Sequence, residues 1–137
     1  MSPLDQYLPL MLQHPLHRAM GVRHIDAAEG RASLEVVVGP DMVNPAGMFH
    51  GGIVYTLCDM VCYAALVSQL QAGENAATHD LHVSILKAAK LSETVRFEGR
   101  VLRAGRSVAF MESVALQGER LLARATVTKS ILRKTGD

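Results

Sequence analysis

The sequence has no surplus of charge of either sign. Fourteen Lys and Arg against thirteen Asp and Glu leave a net charge of +1 over 137 residues. The basic residues are scattered, and the short Arg133-Lys134 tail is too small to make the basic face by which nucleic-acid binders are recognised. Nucleic acid is therefore not an expected partner. An export signal is also missing. In MSPLDQYLPLMLQHPLHRAM, Asp5 comes early, and prolines and histidines interrupt the apolar part. The cytoplasm is the expected compartment. The longest apolar stretch, Gly51 to Leu70, contains Asp59, Ser68 and Gln69. A charge within a bilayer is costly, so this stretch reads as a helix buried in protein, and no membrane partner is expected. Cysteine is scarce. Cys58 and Cys62 stand four apart. A disulfide is not expected in a reducing compartment, and a metal site would need further ligands, so both read as small buried hydrophobes.

What is present suits one domain over residues 1–137. Hydrophobic residues make up 49% of the chain, enough for a core, and no repeat, low-complexity tract or linker divides it. Residues 4–13 read as a short amphipathic helix stopped before Pro15. Met20 to Glu29 reads as a strand ending in a Glu29-Gly30 turn. In Arg31 to Val38, Ala32, Leu34, Val36 and Val38 fall on one face and Arg31, Ser33 and Glu35 on the other, the period of a half-buried strand. Asp41 to Gly52 is a loop rich in Asn, Pro and Gly. Ile53 to Leu70 is a helix apolar nearly all round, which must be enclosed, with Gly73 suited to a left-handed position after it. The spacing then predicts strands over Ala76–Leu86, Glu93–Ala104, Ser107–Leu116 and Leu121–Leu132, with turns at Ala104-Gly105 and Gln117-Gly118, as in an antiparallel meander. The fold class is α+β. An antiparallel sheet of five to six strands has to wrap around one long central helix, which is the hotdog arrangement.

Chemistry concentrates between Asn44 and Asp59. Gly51-Gly52 falls at a helix start, where backbone N–H groups lack intrahelical partners and can bind an anion or polarise a carbonyl. The two glycines allow close approach to that backbone. Asp59 lies in the middle of the apolar helix, and a carboxylate buried there needs partners or a task. Taken singly, Asn44-Pro45 is a turn initiator, His50 a helix-start histidine and Asp59 a structural acid. Together they put oxyanion donors, polar positioning groups and a carboxylate in one short segment. The six histidines are dispersed. His79 and His82 have spacing that alternates faces of a strand, so no metal site is expected.

The string N-x-x-G-x-x-H-G-G-x-x-x-x-L-x-D, on Asn44, Gly47, His50, Gly51, Gly52, Leu57 and Asp59, resembles the signature of the hotdog acyl-CoA thioesterases of the phenylacetic-acid-degradation (PaaI-like) type. Lys90-Leu-Ser-Glu93 is similar to that family's A-K-x-G-D/E turn. Val101 to Phe110 resembles its V-x-x-x-G-R/K-x-x-x-F hairpin. The likeness covers residues 20–132. It implies hydrolysis of an acyl-CoA thioester to free acid and CoA, with no cofactor beyond the CoA carried by the substrate. Asp59 would activate water or attack the carbonyl. The Gly51 N–H would hold the carbonyl oxygen, His50 and Asn44 would position thioester and loop, and Thr78 would help hold the water. Gly52 and Tyr63 would line the substrate site, while Lys90, Arg103, Gly105, Arg106 and Ser107 would face the CoA nucleotide. Two positions depart from the pattern. Tyr63 stands where some relatives place Ser or Thr, and Ser92 where the turn prefers Gly.

Other chemistries compete on the same fold: an enoyl-thioester hydratase or dehydratase, and a non-catalytic acyl-CoA-binding module. The Asn–His-Gly-Gly–Asp spacing favours hydrolysis, and a pure binder has no need of a costly carboxylate in an apolar helix. A hotdog exposes sheet edges, so a homodimer assembling into a homotetramer is expected.

Overall fold

The computed structural model describes residues 1–133; Lys134 of the basic tail lies outside them. The chain opens with two helices, α1 (Pro3–Gln13) and α2 (Pro15–Ala19), each with proline in its first turn, where no N–H is needed. The Ser2 hydroxyl accepts the Asp5 N–H and caps α1. Strands β1 (Asp26–Ala28) and β2 (Arg31–Val37) follow, then the helix α3 (Gly51–Val67), and then β3 (Glu74–Ile85), β4 (Thr94–Ala104), β5 (Val108–Gln117) and β6 (Arg120–Arg133). All pairings are antiparallel, in one six-stranded sheet of order β1-β2-β4-β5-β6-β3. With α3 packed across this sheet, the fold is a hotdog.

Three expectations need correction. The strand expected from Met20 shrinks to Asp26–Ala28, because Met20 closes α2 through its N–H to the Leu16 carbonyl and Gly21 turns the chain at φ +86°. The last four strands are not one meander. β4, β5 and β6 are, but β3 lies at the far edge on β6, because the chain crosses the sheet as α3 before it. The return segment, residues 86–93, runs along the sheet's end. Leu86 and Lys87 donate N–H to Leu122, the Phe49 N–H binds Ala89, and the Ser92 N–H binds Val38. Ser92 sits there at φ +72°, which accounts for a glycine preference at such a turn. Finally, a bulge between Thr78 and Asp80 undoes the alternation of the two histidines. His79 reaches Ser130 and His82 pairs with Thr126, which share one face of β6.

The core lies between α3 and the sheet's inner face. Val54, Leu57, Cys58, Met60, Val61, Cys62 and Ala64 to Val67 are buried, and they meet the inward rows Ala32-Leu34-Val36 of β2 and Val95-Phe97-Gly99 of β4. The helix comes closest at Gly99, where a Cβ would stand 2.9 Å from the Val61 carbonyl oxygen and 3.1 Å from the Cys62 nitrogen. Beside it, Ser113, the cross-strand partner of Gly99, donates its hydroxyl to the Cys58 carbonyl at 2.9 Å. Enclosure of α3 is nevertheless incomplete. Gly52, Tyr55, Thr56, Asp59 and Tyr63 form a helical stripe that no other element among the described residues fully covers.

Burial pushes the Cys58 thiol up to about 11 and the Cys62 thiol up to about 12; the Ser113 hydrogen bond opposes both shifts. Neither cysteine is a thiolate at neutral pH.

Two outcomes are expected. Gly99→Ala should destabilise by about 1–3 kcal/mol in urea denaturation, because the extra carbon meets backbone that has no rotamer by which to yield. Stability should also fall as pH rises above 9. Unfolded thiols lose their protons there while the folded ones keep them, so the folded state binds more protons and loses ground until the folded values are reached. Urea midpoints at pH 8 and pH 10.5 should show the fall, and Cys62→Ala should reduce it. A midpoint unchanged by alkali in the wild type would mean that the thiols are not sequestered.

Candidate active site

His50 is the N-cap of α3. Its Nδ1 accepts the Gly52 N–H at 2.9 Å, so the proton of the neutral ring is on Nε2. The Ile53 and Val54 N–H groups bind the His50 carbonyl, and the Gly51 N–H has no acceptor among the described residues. Gly51 thus presents a free donor at the positive end of a seventeen-residue helix. The approach to it is built by Asn44, whose Oδ1 accepts the N–H groups of Ala46 and Met48, while its own N–H binds the Met48 carbonyl. Gly47 turns this loop at φ +82°. Asn44 is therefore a loop organiser. Lys90 lies alongside, bridged to Met48, and its N–H binds the Glu93 carboxylate, holding that carboxyl below the usual range.

Asp59 is farther along the same helix. Its side chain is 30% exposed, more than its apolar neighbours Cys58 and Met60 suggest. It opens into a cavity of about 190 Å³ that also takes in Met11, His17, Tyr63, Thr78 and Lys129. Oδ1 of Asp59 accepts the Thr78 hydroxyl at 2.8 Å and the Lys129 ammonium at 2.8 Å, and Lys129 also binds Thr78. Oδ2 has no partner among the described residues. Tyr63, one turn on, donates its hydroxyl to Asn75 at 2.6 Å. Burial pushes its phenol up to about 12; Tyr7 adds to the shift and the Asn75 hydrogen bond opposes it. Its ring faces the Lys129 ammonium, 5.5 Å from Nζ to centroid.

The residues singled out in the sequence therefore fall into two groups. Asn44, His50, Gly51, Gly52 and Lys90 gather at the start of α3. Thr78 and Tyr63 gather with Asp59. Eight residues of helix rise separate Gly51 from Asp59, about 12 Å. The hairpin of Arg103, Gly105, Arg106 and Ser107 belongs to the Asp59 end: the Ser107 carbonyl accepts the Ile131 N–H, next to Lys129 on β6. Lys90 is at the opposite end of β4, about 30 Å away by strand rise. Among the described residues no three His, Cys, Asp or Glu side chains come together as a metal site, and no helix is long and apolar enough to cross a membrane.

Lys129, His17 and Met11 are members of the site that sequence patterning missed. For Lys129 the signal was available, a single charge in the inward row Ala125-Val127-Lys129-Ile131. For Met11 and His17 there was none, since only tertiary packing brings α1 and α2 to Asp59.

Residues 46–123 match the family described as the thioesterase superfamily. The chain is 30% identical over 110 residues to acyl-coenzyme A thioesterase 13 of Homo sapiens, covering 78% of this chain and 77% of that protein. Among solved structures it is similar to a phenylacetic acid degradation-related protein of Ralstonia eutropha JMP134, with TM-score 0.82, 25% identity, and 94% and 99% of the two chains covered. It is also similar to a hypothetical thioesterase protein of Streptococcus pneumoniae TIGR4 solved with coenzyme A, with TM-score 0.72, 25% identity, and 82% and 99% covered.

Proposed function

The chain belongs to the thioesterase superfamily, and we propose that it hydrolyses an acyl-CoA thioester to the free acid and CoA at a site shared between two copies of the chain. The observation that carries the shared site is the separation within one helix. A free carboxylate oxygen on Asp59 and a free N–H on Gly51 are the two groups the reaction needs, and about 12 Å of helix keeps them from meeting on one carbonyl.

A second copy removes the difficulty. β3 is a twelve-residue edge strand, a template for antiparallel pairing. It runs beside α3 in the opposite sense. Thr78 is at the Asp59 end, and Ile85 is at the other end, where its side chain would touch a Cβ placed on Gly51 at 3.3 Å. A two-fold axis at His82 sets Thr78 opposite Ile85 of the second copy, because the bulged His79 takes no register position. Asp59 of one chain then faces Gly51 and His50 of the other, twice per dimer. The same operation covers the open stripe of α3 and draws Lys90 of one copy toward the Arg106 hairpin of its mate.

In this site the thioester carbonyl oxygen takes the Gly51 N–H, which strengthens as negative charge develops, an effect of about 10²–10³ in rate for one such donor. Nε2–H of His50 lies beside it. Oδ2 of Asp59, with Thr78 beside it, activates a water or attacks the carbonyl carbon directly. The tetrahedral centre collapses with loss of the CoA thiolate, which takes up the proton Asp59 drew from the water; after direct attack the collapse leaves an anhydride on Asp59, which water then hydrolyses to the free acid. Asn44 shapes the loop, and Gly52 and Tyr63 line the substrate path. Lys90, Arg103, Gly105, Arg106 and Ser107 meet the CoA nucleotide, whose phosphates suit guanidinium partners. No further cofactor takes part. Dimers pair into tetramers, and the enzyme works in the cytoplasm.

Asp59→Asn should lower kcat by about 10²–10⁴ while folding and acyl-CoA binding persist. Gly51→Pro deletes the oxyanion donor at a helix position that favours proline, after a His50 already in the extended conformation that precedes proline (φ −64°, ψ 126°). Each variant alone should be nearly inactive. Co-refolded in equal amounts, they should recover roughly a quarter of wild-type activity, because half the dimers then carry one intact site. No recovery in demonstrated heterodimers would exclude a shared site, and wild-type turnover by Asp59→Asn would leave Asp59 a structural acid. Hydration of enoyl-CoA without release of free CoA would indicate a hydratase, and tight binding without turnover a binding module. Arg106→Glu should raise KM for acyl-CoA more than it lowers kcat. Equal rates on acyl-pantetheine and acyl-CoA in the wild type would remove the nucleotide assignment.

A further inference from the structure

The last strand holds one lysine where its neighbours are apolar. Ala125, Val127 and Ile131 are buried along the inward row of β6, and Lys129 stands among them with 2% of its side chain exposed. An ammonium so far from water persists only if it is paired and hydrogen-bonded. Three groups surround it. Asp59 Oδ1 accepts from Nζ at 2.8 Å, Thr78 Oγ1 lies within hydrogen-bond distance, and the Tyr63 ring covers it. Thr78 is also the direct cross-strand partner of Lys129, at the last register position before the β3 bulge, so the two donors are fixed by the sheet rather than by flexible chain.

Both donors go to the same oxygen. Oδ1 takes the Thr78 hydroxyl and the ammonium, while Oδ2 takes nothing among the described residues. Were the pair only structural, an apolar pair of the same shape would serve the fold as well or better, and the carboxylate would not need a 30% exposed side chain at the mouth of a cavity. We propose that Lys129 is a positioning residue for the thioesterase reaction: with Thr78 it clamps Oδ1 of Asp59, fixes the plane of the carboxylate and dedicates Oδ2 to the water or the thioester carbon. Tyr63 completes the device. Its hydroxyl is tied to Asn75, its ring stays neutral because the phenol is pushed up to about 12, and its face shields the ammonium from water that would compete for Asp59.

The inference rests on the catalytic reading of Asp59, and its test separates the two. Lys129→Met keeps the length of the side chain and removes its charge and donors. Its kcat should fall about 10- to 100-fold on acyl-CoA, with KM within about threefold, since the clamp acts on geometry at the reacting atoms. Lys129→Met should then add less than about threefold to the loss already caused by Asp59→Asn, because a residue that works through Asp59 has nothing left to position. Lys129→Ala, which likewise removes the donors and admits water to Asp59, takes the same place in the cycle if the Met variant fails to fold, as judged by circular dichroism and thermal melting. Wild-type kcat in the folded Lys129 variant overturns the proposal while leaving Asp59 catalytic. Fully multiplicative losses in the double variant also overturn it, since Lys129 would then act on the substrate without Asp59. Wild-type turnover by Asp59→Asn alone overturns both readings together.

Discussion

The contact between α3 and β4 at Gly99 sets the geometry on which the rest depends. With no side chain there, the backbone at Val61 and Cys62 drops onto the strand, close enough that a single Cβ would be 2.9 Å from a carbonyl oxygen. The Ser113 hydroxyl holds the preceding turn of the helix at the Cys58 carbonyl. Asp59 is the next residue. Its reach to Thr78 on β3 and Lys129 on β6 depends on the helix being this low and at this angle, because both partners project from the sheet and are held in register by its ladder. A helix raised by one methyl diameter would leave Lys129 buried without a counter-charge, a far larger cost than the packing it would relieve.

The same helix divides the chemistry. Its first turn supplies an unsatisfied N–H, a feature only a helix start can offer, and the ring of His50 finishes the capping without consuming it. Its third turn supplies the carboxylate, where sheet residues can desolvate and orient it. No helix can bring its own first and third turns onto one atom. On the proposed reading one chain therefore carries two half-sites at opposite ends of β3, and the open stripe from Gly52 to Tyr63 runs between them. The polar character of that stripe and the long unpaired edge of β3 suit the same partner, a second copy, which would cover both.

The sequence by itself determined the elements and where the candidate functional groups fall on them. The period-two rows of β2 and β4, the apolar helix between glycine-rich loops and the turn at Gln117-Gly118 are local statements, and each is found within a few residues of its expected place. So are the helix-start glycines, the His50 cap and Asp59, since capping and oxyanion binding depend on residues near in sequence. Only the tertiary structure decided which strand pairs with which. β3 joins β6 because α3 carries the chain across the sheet, and nothing within Glu74–Ile85 records that crossing. It also decided that a bulge after Thr78 turns both histidines to one face, that α1 and α2 bring Met11 and His17 to Asp59, and that a lysine 70 residues away becomes its counter-ion. These outcomes depend on long-range register, which the alternation of apolar and polar residues specifies only as inside or outside. Lys129 broke that alternation visibly, but the sequence marked the charge as misplaced without naming its partner, because a desolvated charge is satisfied only where the fold puts its opposite.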